Sequence, residues 1–154
     1  MGRHEIAVEA AIDASPAAVF KVLADPTKIE QWLPNVTSVH HLNDKKHVGA
    51  ERQIKIRIYN IPISSHQVIT EYEPGKRFAW VHTHDIVEGE PFEMLQDIGT
   101  IFELKGRGNK TNLTATAHFT PNGLKARLAV PLIASDIKKQ MRSALENLKR
   151  LCES

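Results

Sequence analysis

The C-terminal part of the chain carries the pattern that most limits how this sequence can fold. Between residues 137 and 152, apolar side chains recur at steps of three and four. This spacing puts them in one stripe along an α-helix, with most of the charged residues outside the stripe. At ~1.5 Å per residue, the helix would span most of the diameter of a small domain. The stripe comprises Ile137, Met141, Ala144, Leu145, Leu148, Leu151 and Cys152.

Two prolines bear on where this helix begins. Thr120 and Pro121 combine a capping hydroxyl with a proline suited to the first helical position, which predicts a helix start there. Pro131 has no N–H to bond to the carbonyl of Arg127, and its ring crowds that carbonyl. We therefore predict a kink or a fresh start at Pro131, with a separate leading segment before it.

Most of the chain before residue 120 shows the period of two that is typical of β-strands. A first strand is predicted at 6–12. Ser15–Pro16 and Asp25–Pro26 then each join a cap to a proline, which predicts two short helices, the second over 26–31. Six further strands are predicted at 36–42, 52–58, 63–72, 77–85, 100–104 and 113–119.

The predicted order of elements is one strand, two short helices, six strands and a long helix. Strands joined by short turns are antiparallel neighbours. One sheet followed by one amphipathic helix suggests that the helix lies across a face of the sheet. We therefore predict an α+β fold, and at 154 residues a single domain spanning 1–154.

The charged residues are balanced and interspersed, which limits the classes of partner. Twenty basic and 18 acidic residues give a net charge of +2, without the basic stripe of a nucleic-acid-binding surface. No apolar run is long enough to span a bilayer, and the N-terminus lacks the apolar core of a signal peptide. We expect a cytoplasmic protein that binds no nucleic acid and does not insert stably into membranes. The single cysteine, Cys152, is expected to be a core or near-core thiol.

Three stretches resemble the START-like or SRPBCC superfamily, which has the helix-grip fold. The first comprises 12–20 and 23–26 with Trp32, the second is 70–80 and the third is 145–151, in the order and spacing of that superfamily. The nearest subgroup is the bacterial polyketide cyclase/dehydrase-like proteins. The resemblance implies a curved seven-stranded antiparallel sheet that grips the C-terminal helix, with an apolar cavity between them. Members include lipid carriers, hormone receptors and aromatases, so the resemblance alone does not choose a function.

Three of the eight histidines lie close together on the predicted sheet. A five-residue loop over 73–77 turns the large aromatic residues and these histidines toward the cavity. A two-residue Pro–Gly turn shifts the register by one and places Val81 and Thr83 on the face of His66 instead. We favour the longer loop. It predicts the pairs Tyr72–Phe78, Thr70–Trp80, Val68–His82 and His66–His84, and alternation puts Asp85 on the other face.

The histidines have several interpretations. The simplest is that they are polar residues at a cavity mouth or on the outer face of the sheet. They could instead form hydrogen bonds with a polar group of a mostly apolar ligand. Catalysis or zinc binding is a third interpretation. Because no acidic or cysteine ligand is obvious nearby, we predict neither a metal site nor a cofactor.

The leading functional hypothesis is binding of a small hydrophobic or aromatic ligand, such as a lipid, quinone or polyketide, between the sheet and the C-terminal helix. The alternative is an enzyme of the polyketide cyclase, aromatase or dehydratase kind, with His82 or His84 as general acid or base. A weaker third hypothesis is a protein-interaction module. The predicted ligand-binding residues are Trp32, Ile56, His66, Tyr72, Trp80, His82, His84, Phe102, Leu128 and Met141.

Overall fold

The computed structural model describes residues 2–154. Within that range, a curved sheet is combined with one long helix and two short ones. The elements, in chain order, are β1 (His4–Ile12), α1 (Pro16–Leu23), α2 (Ile29–Trp32), β2 (Val36–His41), β3 (Glu51–Ile58), β4 (Ile61–Glu73), β5 (Arg77–Val87), β6 (Glu90–Pro91), β7 (Leu95–Arg107), β8 (Lys110–Pro121) and α3 (Leu124–Glu153).

The sheet is antiparallel throughout, with the strand order β1–β8–β7–β5–β4–β3–β2. The two-residue β6 pairs with β5 beside this path. Along this path, strands that follow one another in the chain are neighbours once β6 is set aside, except that β1 lies beside β8 and not beside β2. The α1 and α2 helices lie between β1 and β2 in the chain, and α3 closes it. The predicted helix-grip architecture is therefore confirmed.

The helix α1 begins where its sequence predicts. The hydroxyl of Ser15 accepts a hydrogen bond from the backbone N–H of Ala18 at 3.2 Å, and Pro16 occupies the first helical turn. The second short helix, α2, is shorter than predicted. Asp25 instead caps a turn, because its carboxylate accepts from both the N–H and the hydroxyl of Thr27. The two helices still form the predicted pair.

The helix α3 runs without a break through Pro131, so the prediction of a fresh start there is wrong. Proline removes one hydrogen bond at a cost of ~3 kcal/mol, but the turns on either side keep theirs. The carbonyl left without its partner belongs to Arg127, which lies on an exposed stretch where water can replace the bond. The prediction that Pro121 starts the helix is also wrong. Pro121 ends β8, and Gly123, with φ of 93°, supplies the turn before Leu124.

Most of the buried residues of α3 lie in its C-terminal half, and Ala126 is the buried residue of its first turn. Ala144, Leu145 and Leu148 are buried in the main core. Near its end, the Lys149 ammonium donates to the carbonyl of Ala11 at 2.7 Å, and the N–H of Asp13 donates to Glu153 at 2.8 Å. This half therefore fixes the helix to the end of β1.

Two register shifts interrupt the β4–β5 hairpin. The predicted loop is correct, since Tyr72 pairs with Phe78. Before the loop, Thr70 is an extra residue on β4. Ile69, and not Thr70, therefore pairs with Trp80 of β5. The second shift arises because Thr83 is an extra residue on β5. Beyond it, the two strands return to the register of the Tyr72–Phe78 pair. The predicted pair His66–His84 is therefore observed, whereas His82 pairs with Gln67 and not with Val68.

These shifts decide which side chains face the inside of the grip. An extra residue in a strand reverses the faces of everything beyond it. Thr83 therefore brings Asp85 to the same inner face as His82, contrary to the strict alternation that we predicted. The same shift leaves His84 on the outer face.

Candidate functional site

Two cavities lie along the inner face of the sheet. The smaller, called here the small cavity, has a volume of about 80 Å³ and lies between β5, β7, β8 and the middle of α3. The larger, called the large cavity, has a volume of about 730 Å³ and lies under the β2–β3 loop. Aromatic side chains separate the two. They are Trp32, Phe78, Trp80 and Phe102, which meet at ring-centroid distances of 5.3–6.5 Å.

The large cavity is bounded by the link between α1 and α2, by the β2–β3 loop and by the inner face of β3 and β4. Its apolar wall consists of Ala24, Pro26, Ala50, Ile69, Tyr72 and Phe78. Its mouth is surrounded by charged and polar side chains from α1 and the turn after it, from the end of β2, from the β2–β3 loop and from the start of β3. They are Lys21, Asp25, His41, Asn43, Asp44, Lys45, Lys46, His47 and Glu51.

The β2–β3 loop is held over the large cavity by backbone and aromatic contacts. The N–H of Gly49 donates to the carbonyl of Ile69 at 2.8 Å, and the N–H of Ile69 donates to Ala50 at 2.9 Å. Gly49 has φ of 91°, a conformation that favours glycine. The His47 ring stacks on Tyr72, with centroids 4.1 Å apart and an interplanar angle of 19°. The loop therefore forms a roof attached to β4.

Asp25, in the turn between α1 and α2, carries a negative charge. Hydrogen bonds from the hydroxyl and N–H of Thr27 lower the pKa of Asp25, with a further contribution from Lys28. Asp25 is therefore ionised across the neutral range and faces the lysines of the opposite loop at the mouth of the large cavity.

A row of polar side chains, called here the polar row, crosses the inner face between β3 and β5. It consists of Arg52, Ser65, Gln67, His82 and Asp85. Arg52 Nε donates to Gln67 Oε1 at 3.0 Å, and Gln67 Nε2 donates to Ser65 Oγ at 3.2 Å. His82 Nδ1 lies 3.0 Å from Asp85 Oδ1 and 2.9 Å from Ser65 Oγ. Buried polar groups require such partners, and here they connect three strands.

The polar row also determines which nitrogen of His82 carries hydrogen. The cation of Arg52 requires the oxygen of the Gln67 amide to face it, so Gln67 Nε2 points at His82 Nε2, 3.4 Å away. Two donors cannot share that contact, so Nε2 accepts and the hydrogen of His82 lies on Nδ1, toward Asp85. The imidazole nitrogen that would act as a base is thus engaged by Gln67.

Arg52 is the member of the polar row that lines the large cavity. Its side chain is 6% exposed, and the guanidinium carbon lies 4.6 Å from the centre of the Trp80 ring. Burial lowers the pKa of Arg52 to about 10. At neutral pH the side chain therefore carries its full positive charge inside the fold.

The predicted ligand-binding residues separate into several places. Tyr72 lines the large cavity, while Trp32, Trp80, Phe102 and Met141 line the small one. Ile56 is on the inner face and packs against the core. His82 faces inward but belongs to the polar row.

Three predicted residues lie away from both cavities. His66 and His84 face outward: His66 pairs with Gln53 on the outer face, its Nε2 lies 3.2 Å from Glu51 Oε1, and its ring contacts His84 at 4.6 Å. The predicted cavity-facing orientation of both histidines is wrong, because the shift at Thr70 turns His66 outward on β4 and the shift at Thr83 turns His84 outward on β5. Leu128 is 74% exposed and lies on the solvent side of α3, whereas Ala126 of the same turn is buried.

Sequence reasoning missed Arg52, Ser65 and Gln67. A signal for Arg52 was present, because it alternates in step with Ile54 and Ile56 and is the one charge on the apolar side of that strand. Ser65 and Gln67 gave no such signal. Their inward position depends on the register shift at Thr70.

Among residues 2–154, no helix is long and apolar enough to cross a membrane. Within the same residues, no group of three histidine, cysteine, aspartate or glutamate side chains could hold a metal ion.

The curved sheet, the gripping of α3 and the cavities on the inner face define a helix-grip protein. The chain belongs to the polyketide cyclase / dehydrase and lipid transport family, whose sequence profile matches residues 3–153. This confirms the resemblance that the sequence motifs indicated. Membership supports ligand binding or a cyclase role in general, with small hydrophobic molecules as the class of ligand.

Solved structures with the same fold are distant in sequence. The Zhui aromatase/cyclase from a Streptomyces species is 11% identical with a TM-score of 0.80, covering 99% of this chain and 94% of that one. TTHA0849 from Thermus thermophilus is 14% identical with a TM-score of 0.78, covering 97% of both chains. Ara h 8.0201 is 13% identical with a TM-score of 0.76, covering 98% of both chains. No curated protein sequence gives a significant match.

The thiol of Cys152 offers a test of packing at the end of α3. It is half-buried against the core, and burial raises its pKa to about 11. We expect iodoacetamide to alkylate Cys152 of the native protein at pH 8 roughly 100-fold more slowly than in urea, because only the thiolate reacts. The rate should rise about tenfold per pH unit from 8 to 10. Equal native and unfolded rates, measured by mass spectrometry, would show that the thiol is freely exposed.

Proposed function

We propose that this protein binds a small, largely apolar molecule in the large cavity. The observation that carries the proposal is the cavity itself: its volume of about 730 Å³ lies within the ~300–1,000 Å³ of typical ligand sites. Its apolar wall suits a hydrocarbon or aromatic body, and Tyr72 and Phe78 present ring faces to it.

The proposed position of the ligand differs from the one expected from sequence. The space between the sheet and the middle of α3 is about 80 Å³, which is too small for a lipid, quinone or polyketide. The large cavity is about nine times larger and opens beneath the β2–β3 loop. We therefore assign the ligand to the large cavity and the small one to core packing around Trp32 and Met141.

The enzymatic alternative has less support from the side-chain arrangement. Asp85 beside His82 resembles the carboxylate that orients a general base. However, His82 Nε2 already faces the amide of Gln67, and His84 is exposed on the outer face. A general base would need Gln67 to move aside. A binding role requires no such rearrangement.

The proposal is tested with N-phenyl-1-naphthylamine, a neutral apolar molecule that becomes fluorescent in apolar surroundings. We expect saturable 1:1 binding with a Kd on the order of 1–100 μM, since ~17 non-hydrogen atoms contribute modestly to affinity. Native mass spectrometry should show the same stoichiometry and should retain a lipid, quinone or aromatic polyketide from a panel. Fluorescence that rises linearly without saturation, together with no retained molecule, would refute the proposal.

A further inference from the structure

We propose that the molecule held in the large cavity carries an anionic oxygen group, such as a carboxylate, and that Arg52 binds that group. This inference rests on the proposed function and adds the chemical class of the ligand. Its ligand is an amphipathic organic anion, with an apolar body against Tyr72 and Phe78.

The first argument is an uncompensated charge. Within residues 2–154, no carboxylate forms an ion pair with Arg52, and its Nη2 is buried without a hydrogen-bond partner. A buried cation without a counter-ion is costly, and arginine keeps its charge rather than losing a proton. Burial lowers the pKa of Arg52 only to about 10, well above neutral pH. A ligand anion would supply the missing partner.

The second argument is the fixed orientation of the guanidinium. Its Nε is held by Gln67 at 3.0 Å, and its face covers the Trp80 ring at 4.6 Å. Gln67 is held in turn by Ser65 at 3.2 Å. These contacts occupy one edge and one face of the guanidinium, and its Nη2 has no hydrogen-bond partner among residues 2–154. An arginine edge of this kind matches the two oxygens of a carboxylate.

The third argument concerns the mouth of the large cavity. Lys21, Lys45 and Lys46 are balanced there by Asp25, Asp44 and Glu51. Because these charges balance, the mouth as a whole does not favour a negatively charged ligand over a neutral one. Selection of a negatively charged ligand therefore falls to Arg52, a buried cation that lines the cavity from the inner face of the sheet.

The experiment compares decanoate with 1-decanol, which share the same chain length and differ in charge. Each displaces N-phenyl-1-naphthylamine from wild type, from Arg52→Met and from Arg57→Met. Arg57 is a matched control, because it lies on the same strand but is exposed and bonds to Asn60. Methionine keeps much of the length of the arginine side chain without its charge.

In wild type we expect decanoate to bind at least tenfold more tightly than 1-decanol. Arg52→Met should weaken decanoate binding about 10–100-fold, the range for hydrogen bonds to a charged group, and change 1-decanol binding less than about threefold. Arg57→Met should leave both unchanged. Equal loss of decanoate binding in both variants would overturn the assignment to Arg52.

A second measurement needs no variant. The carboxyl of decanoate labelled with ¹³C reports its own ionisation by NMR, and beside Arg52 its pKa should fall below that of free decanoate. A raised pKa in the complex would indicate burial without a cation and would overturn the inference. Binding of the neutral probe without preference for decanoate would overturn the anion inference but leave the proposed function standing. Failure of the neutral probe to bind would remove both.

Discussion

Replacing Trp32 by alanine is expected to destabilise the protein by about 3–5 kcal/mol, the range for truncating a large aromatic in a core. The indole is fully buried and contacts Trp80 and Phe102 at 6.5 and 5.9 Å between ring centroids. It joins α2 to the sheet, and its backbone carbonyl accepts from Asn147 of α3 at 3.1 Å. Three layers of the fold therefore lose packing together. Urea unfolding followed by circular dichroism measures the change.

Two further variants show whether the loss comes from packing at Trp32. Leu132→Ala truncates an apolar side chain that is 78% exposed on α3, so its effect should stay within about 0.5 kcal/mol. Trp32→Phe should retain most of the stability, because the indole Nε1 is buried without a hydrogen-bond partner among the described residues. A loss below about 1 kcal/mol for Trp32→Ala would contradict the packing described here.

Filling the large cavity from two walls should reduce binding of N-phenyl-1-naphthylamine more than tenfold. Ala24, after α1, and Ala50, just before β3, both line the cavity. Tryptophan at both positions replaces ligand volume with side chain, so the probe loses much of its contact area. Because the added rings enter open space rather than a packed core, stability should change by less than about 1.5 kcal/mol. Fluorescence titration and urea unfolding provide the two measurements.

The control for the double variant is Ala17→Trp, which adds the same ring to the exposed side of α1. It should bind the probe as wild type does. Each single variant, Ala24→Trp or Ala50→Trp, should show an intermediate loss. Unchanged probe affinity in the folded double variant would place the probe outside the large cavity.

The polar row explains how a charged residue can be tolerated inside this fold. Gln67 holds Arg52, Ser65 and His82 hold Gln67, and Asp85 holds His82. Each member satisfies part of the hydrogen-bonding capacity of the next, which reduces the cost of burial. Among residues 2–154, Arg52 Nη2 still has no hydrogen-bond partner, and Arg52 is a residue that lines the large cavity.

The sequence by itself determined the type and order of the elements in this protein. The stripe from Ile137 to Cys152, the period of two in the strands, and the cap at Ser15 are local patterns. Local patterns record backbone preference and which face is apolar, so they predict a helix or strand without knowledge of its neighbours. The resemblance in the three motifs then gave the arrangement of the sheet around the helix.

Only the tertiary structure decided where the candidate site lies. Nothing in the sequence marks Thr70 and Thr83 as the positions where the strand register shifts. These shifts nevertheless turn His84 outward and bring Asp85 to His82. A register shift is set by packing between strands and reverses every side chain beyond it. The size of each cavity likewise depends on how closely α3 and the β2–β3 loop approach the sheet, which is a balance of distant contacts. The sequence therefore determined the order of the elements, and long-range packing determined that His66, His82 and His84 do not line the large cavity.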